Sequence, residues 1–378
     1  MKKNGFLGAV FFLCFLGGWP QTAEAADRYD AFLGNVIGST RLVGLAGAHR
    51  TESGGFEAAL FNPAGLSWMK AQWDGDLSLG FFHQDFKTRD SFVSAADKTF
   101  FYFQAGVAHR FDLWRNLSIG VGVHNPYGIG LSGSADSGAS GSSLSEEHRV
   151  NFSFDYTSVV LPISLKLRDY LSFGVSLKSS FASMRFSSAT ENDSTVNLEE
   201  TASALGFGMD VGLIYKHDSR QTYGLTFLWG ESLNFDETPN VRVVGFDPFR
   251  GAKRPHQLFL GSSFDWNARL RSYHDLGIIF GASDTVFPGS GISTGVPAIS
   301  SGQSTRISYH LGVEYDLIPQ ELQLRAGHYY QPARSALDPQ RFHITAGGTY
   351  RFWVLELAAA ADWAKDYYNV SLSVGPNF

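Results

Sequence analysis

Apolar and polar residues alternate with period two along most of this chain. Leu117, Ile119, Val121 and Val123 interleave with Ser118, Gly120, Gly122 and His124, and Leu171, Phe173, Val175 and Leu177 with Ser172, Gly174, Ser176 and Lys178. The pattern recurs at Leu205 to Tyr215, at Ile307 to Tyr315, and at Tyr368, Val370, Leu372 and Val374. Successive strand side chains point to opposite faces, so each run predicts a strand with one apolar face and one small or polar face.

A soluble sandwich has the same alternation, and the connections separate the two cases. Short turns fall near 112–116, 168–170, 217–220, 267–271, 316–320 and 351–353; longer polar segments lie near 88–97, 125–149, 185–200, 231–254, 282–304 and 331–340. Tight turns at one end, long connections at the other and an even strand count are the pattern of an outer-membrane barrel. Fourteen strands fit between Asp74 and Phe378, and about 22 residues per strand and connection exceed the ~10 that a tilted spanning strand needs. The predicted fold class is therefore all-β, a transmembrane antiparallel β-barrel of about 14 strands. Lipid is expected outside the apolar rows. The lumen is expected to receive Asp155, Lys178, Asp210, Asp265, Glu314, Arg325 and the histidines His124, His310 and His343.

Two stretches break the regularity. In the fourth strand the apolar row is even at Val150, Phe152, Phe154 and Tyr156, then odd at Leu161, Ile163, Leu165 and Leu167. Such a parity switch predicts a bulge or bend near Thr157 to Val160. The third strand runs into Asn125-Pro126-Tyr127-Gly128. Proline cannot donate to a ladder, so either the strand ends there and an external loop begins, or the wall has a gap.

The N-terminal quarter has no clean alternation. Lys2 and Lys3, an apolar run from Gly5 to Trp19 and the small-x-small site Ala23-Glu24-Ala25 predict a signal peptide over residues 1–25. Its apolar run is shorter than the ~20 residues a spanning helix needs. Residues 26–73 are glycine-rich and contain Asn62-Pro63-Ala64-Gly65. A fourteen-stranded barrel is wider than side chains alone can fill. The segment therefore suits a plug, or hatch, in the lumen, a periplasmic tail being the other reading, with the barrel proper over 74–378.

Composition narrows the function. Charged residues make up 17% of the chain, against roughly 25% in ordinary soluble domains. The one cysteine, Cys14, lies in the signal peptide. Removing that peptide leaves 28 basic and 35 acidic residues, a net charge of 28 − 35 = −7, with no basic excess to neutralise nucleic acid. No nucleophile-elbow, metal-helix or phosphate-loop motif occurs, so no enzyme activity, cofactor or metal site is expected.

Gly38 to Leu66, GSTRLVGLAGAHRTESGGFEAALFNPAGL, resembles the start of FadL-type outer-membrane transporters, which carry long-chain fatty acids and aromatic hydrocarbons. Arg341 to Phe352 is similar to the family's penultimate-hairpin pattern. The resemblance implies that Asn62, Pro63, Ala64 and Gly65 belong to the hatch. It implies that Asn125, Pro126, Tyr127 and Gly128 form an inward kink that opens the wall sideways, and that Phe378 is the terminal aromatic read by the barrel assembly machinery. It implies a multi-pass protein of the bacterial outer membrane, among lipid and lipopolysaccharide, that passes a hydrophobic small molecule downhill. The family's apolar helical external loops are not matched: Leu131 to Leu144 is LSGSADSGASGSSL, flexible and polar, and Ser187 to Glu200 is little greasier. No capture-groove residue is carried over. A general polar porin, or a barrel anchoring a surface or secretion assembly, is the competing reading.

Overall fold

The computed structural model describes residues 28–30, 36–52, 54–84, 98–111, 116–136, 147–190, 193–235, 252–281, 298–300, 305–332 and 340–376. Residues 1–25, expected to be a signal peptide, and Phe378 lie outside the described residues. Fourteen antiparallel strands form a closed ring. They are β1 (Trp73–Gln84), β2 (Lys98–Arg110), β3 (Leu117–Asp136), β4 (Glu147–Arg168), β5 (Leu171–Thr190), β6 (Asp193–Lys216) and β7 (Gln221–Leu228). The second half comprises β8 (Gln257–Asp265), β9 (Leu270–Ile279), β10 (Arg306–Ile318), β11 (Leu322–Gln331), β12 (Arg341–Phe352), β13 (Leu355–Ala364) and β14 (Tyr367–Pro376). Each strand pairs with its sequence neighbour, and β14 pairs with β1 from Tyr367↔Gln84 to Val374↔Leu77. Closure gives every strand a neighbour on both sides, the arrangement a membrane interior favours.

The alternation sorts the faces as expected. Val121, Leu161, Leu177, Leu205 and Leu372 are exposed on the outside, while Ser118, Lys178, Asp210, Glu314, Arg325, His343 and Ser371 are buried inside. Trp73, Tyr170, Trp266 and Trp353 are all exposed near the tight-turn end, where an aromatic girdle marks a membrane interface.

The fourth strand corrects the expected parity switch. The β4–β5 register runs unbroken from His148↔Thr190 to Lys166↔Ser172, with no bulge at 157–160. From Phe154 to Val160 the even residues face inward: Phe154 and Tyr156 are fully buried, as are Ser158 and Val160. Asp155 is exposed on the outer face, not in the lumen as expected. The reason is length. Strands β4, β5 and β6 have 22, 20 and 24 residues, roughly 65–80 Å of strand at ~3.3 Å per residue, far more than the bilayer needs. Strands of that length would carry their outer ends beyond the hydrocarbon, where an outward carboxylate such as Asp155 costs little. The same ends replace the loops expected at 125–149 and 185–200, because β3 continues to Asp136 and β5 and β6 run to Thr190 and from Asp193.

Inside the ring lies the N-terminal segment, with a short helix α1 (Thr40–Gly44), a second helix α2 (Phe56–Phe61) and a 3₁₀ turn (Pro63–Trp68). Ser39 caps α1 by accepting from Leu42 N. Phe56, Leu60, Leu66 and Met69 form an apolar cluster with Ala108 and Val160 of the wall. A second cluster joins Val36, Leu42 and Val43 to Tyr329 and Ala360. On β14, Asn369 Nδ2 donates to Val36 O at 3.0 Å and Ser371 Oγ to Gly38 O at 3.1 Å. The hydroxyls of Thr40 and Ser373 also bond.

Candidate functional site

Asn62 and Pro63 start the 3₁₀ turn, where proline's missing N–H costs nothing. Asn62 is fully buried. Its Oδ1 accepts from Ala64 N at 3.2 Å, and its Nδ2 donates to Arg50 O at 2.7 Å and to Leu213 O of β6 at 3.3 Å. Ala64 O accepts from Ser164 of β4 at 3.2 Å and from Ser172 of β5 at 3.0 Å. Two wall glycines make the close approach possible. A Cβ on Gly212 would lie 2.0 Å from Asn62 Oδ1, and one on Gly174 would lie 2.4 Å from the Pro63 carbonyl carbon. Gly65 is confined as well, since a Cβ there would meet Glu52 O at 2.7 Å. The four expected residues therefore sit together, and the serines and glycines that seat them lie on three neighbouring strands. Sequence reading missed that seat, whose one signal was small residues in the inward row.

A charged cluster ties the other half of the segment to the wall. Arg41 bonds Glu52 at 2.8 Å and Glu314 of β10 at 3.0 Å, and Glu314 also accepts from Arg325 of β11 at 2.8 Å. Asp275 of β9 accepts the backbone N–H of His49 at 2.7 Å and of Arg50 at 3.0 Å. The Arg50 guanidinium donates to Phe61 O at 2.5 Å and lies 3.9 Å from the Phe259 ring centre, a cation–π distance. His49 is fully buried beside Glu57, 4.0 Å away. Burial, reinforced by Arg41 and Arg50, holds the His49 imidazole well below its ordinary value. Burial and the neighbouring Asp76 raise the Glu57 carboxyl, which accepts from Ser39.

On one side of this segment lies a cavity of about 150 Å³. Leu42, Leu60 and Phe61 of the segment and Leu228, Phe259 and Ile279 of the wall give it an apolar part. Arg50, His124, Lys178, Arg254 and Gln257 give it a polar part. Arg254 belongs to a short strand, Ala252–Arg254, that pairs with Glu231–Phe235 and continues the β7–β8 hairpin beyond a break.

The ladder between two wall strands stops beside His124. Strands β2 and β3 pair over seven rungs, from Arg110↔Ser118 to Gln104↔His124. Beyond that, among the described residues, Lys98 to Phe103 of β2 pair with β1 alone and Tyr127 to Asp136 of β3 with β4 alone. The β3–β4 register shifts between His124 and Tyr127, setting Asn125 and Pro126 opposite Thr157. The chain therefore neither ends its strand at Pro126 nor begins a loop there: it bulges and leaves its β2 neighbour. On the unpaired margin of β2, Phe101 is 79% and Phe103 38% exposed.

Both ring nitrogens of His343 are engaged. Its Nδ1 lies 2.9 Å from Asp362 Oδ1 and its Nε2 2.8 Å from Gln331 Oε1, leaving no ring nitrogen to activate a nucleophile. Tyr329 stacks on it at 4.1 Å and donates to Asp362. His310 Nδ1 meets Ala46 O of the lumen segment at 2.7 Å.

No protein-family model matches the chain, and no curated protein does. Solved structures share its fold. The toluene transporter TbuX of Ralstonia pickettii aligns at TM-score 0.65 and 17% identity, over 91% of this chain and 99% of that one. A FadL homologue of Pseudomonas aeruginosa aligns at 0.67 and 15%, over 91% and 99%. The toluene transporter TodX of Pseudomonas putida aligns at 0.63 and 18%, over 94% and 99%. The barrel has the fold of FadL-family transporters.

Proposed function

We propose that this chain is a passive channel of the bacterial outer membrane for small hydrophobic molecules. The lumen segment acts as its hatch, and the opening beside Asn125 to Gly128 is its lateral exit. The single observation that carries the reading is the juxtaposition at His124. That residue lines the cavity and is also the last rung of the β2–β3 ladder. The similar structures are named as transporters of toluene, which supports the choice of ligand class.

The physics favours a side door. Burying a carbon group gains about 0.8 kcal/mol, so returning a seven-carbon ring compound to water costs roughly 5 kcal/mol. Departure into hydrocarbon removes that cost, and the outward Phe101 and Phe103 give the unpaired margin an apolar surface. Asn62 and Pro63 pin the hatch against the wall, so solute is steered sideways and small polar solutes are excluded.

Restoring a paired strand with Pro126→Val and Gly128→Val tests the exit. Uptake of labelled toluene by cells should be abolished, while the purified barrel keeps its heat-modifiable migration on gels. Unchanged uptake by that folded double variant defeats the proposal. Swelling of native-protein liposomes in small sugars favours the polar-porin reading instead.

A further inference from the structure

We infer that the cavity selects a single-ring aromatic carboxylate, and that Lys178, Arg254 and Gln257 read its acid group. The inference rests on the cavity being the ligand site of the channel proposed above, and it narrows the substrate class of that site.

Size comes first. A cavity of about 150 Å³ matches the volume that holds one benzene in an apolar protein core. A sixteen-carbon chain would have to extend well beyond such a space. Leu60, Phe61 and Phe259 supply surface for one ring.

The polar part is one-sided. The described residues lining the cavity include the cations Arg50, Lys178 and Arg254 and no aspartate or glutamate. The acids that balance them stand behind. Asp210 is 1% exposed and pairs with Lys178, and with Arg254 at 3.6 Å. Glu231 is 1% exposed and lies 3.5 Å from Arg254. The charged groups that a solute meets in the cavity are therefore cationic. Gln257 adds a second, independent pointer. It is 4% exposed, and its amide nitrogen has no acceptor among the described residues. Buried donors of this kind are satisfied by an acceptor. A plain hydrocarbon leaves Gln257 unpaired, and an amine brings like charge against Lys178. A carboxylate satisfies both.

The full-length protein in lipid nanodiscs should be titrated calorimetrically with benzoate, toluene, benzylamine and palmitate. Benzoate should bind about tenfold or more tightly than toluene, the size expected for hydrogen bonds to charged groups. Benzylamine should give no saturable signal, and palmitate should fail to displace benzoate. Lys178→Gln should erase the benzoate preference and leave toluene affinity within about twofold, a single hydrogen bond being worth more than that. Lys178→Gln/Asp210→Asn, which balances the buried charge, should do the same. Toluene binding as tight as benzoate, a preference that survives in both folded variants, or displacement by palmitate overturns the inference. Binding needs no open wall. Absent benzoate binding with toluene uptake intact therefore defeats the inference alone, whereas uptake indifferent to Pro126→Val/Gly128→Val defeats the exit alone.

Discussion

Asn62→Ala offers the sharpest test of how the lumen segment is held. The substitution removes three hydrogen bonds from a fully buried carboxamide: those to Ala64 N, Arg50 O and Leu213 O. Losing the cap on Ala64 costs about 1 kcal/mol. Orphaning buried partners costs about 1–3 kcal/mol each, less where another bond remains, as in the strand ladder at Leu213. A total of about 2–4 kcal/mol against docking follows. At 1.4 kcal/mol per decade, the segment should open roughly 30- to 1,000-fold more often. Hydrogen exchange followed by mass spectrometry reads this directly. Peptides spanning residues 42–52 and 56–69 should exchange faster by that factor, while β8 to β12 keep native protection. Protection of the segment within about threefold of native refutes the anchoring role. Equal loss across the barrel would refute it too, making Asn62 a determinant of the whole fold.

Gly212→Val should expel the anchor, because its Cβ would lie 2.0 Å from Asn62 Oδ1 and 2.9 Å from Pro63 Cδ. Gly208→Ala, whose Cβ would meet only the end of Glu231 at 3.4 Å, should be tolerated. Sugar-driven swelling of liposomes should appear with the first variant and not the second. Docking should also depend on pH from both sides. The docked segment keeps Glu57 protonated where the released segment ionises it, so docking weakens as pH rises above the ordinary glutamate range. It keeps His49 neutral where the released segment protonates it, so docking weakens as pH falls below about 6.5. Between those ranges the two slopes oppose each other. Hydrogen exchange across pH 4–9 should show the alkaline limb flatten in Glu57→Gln and the acid limb flatten in His49→Gln. Limbs unchanged in both variants contradict the assignment.

The barrel was legible because its two faces differ in chemistry, and period two reports that difference residue by residue. Strand number followed from the turns. The reading failed where the outside ceases to be lipid. Phe154 and Tyr156 look lipid-facing only if hydrocarbon is assumed along the full strand, and Asp155 looks inward on the same assumption. Asn62 to Gly65 and Asn125 to Gly128 stand out in the sequence because proline and glycine constrain backbone locally. Their partners were not. Gly174 and Gly212 are indistinguishable in sequence from other inward glycines, and Arg50, Lys178 and Gln257 converge only through ring closure. Alternation says which side a residue faces and nothing about what lies across the lumen.

The contacts of β14 with Val36 and Gly38 join residues 333 positions apart. Ribosomes deliver Val36 first and Asn369 last, and a loop of that length is the slowest kind to close. The earliest described part of the lumen segment can therefore make these contacts only when the final strand has arrived to complete the ring. A copy interrupted before β14 would lack both the strand that closes the ring and these two contacts of the lumen segment. Ring closure and the seating of the segment thus depend on the same last strand.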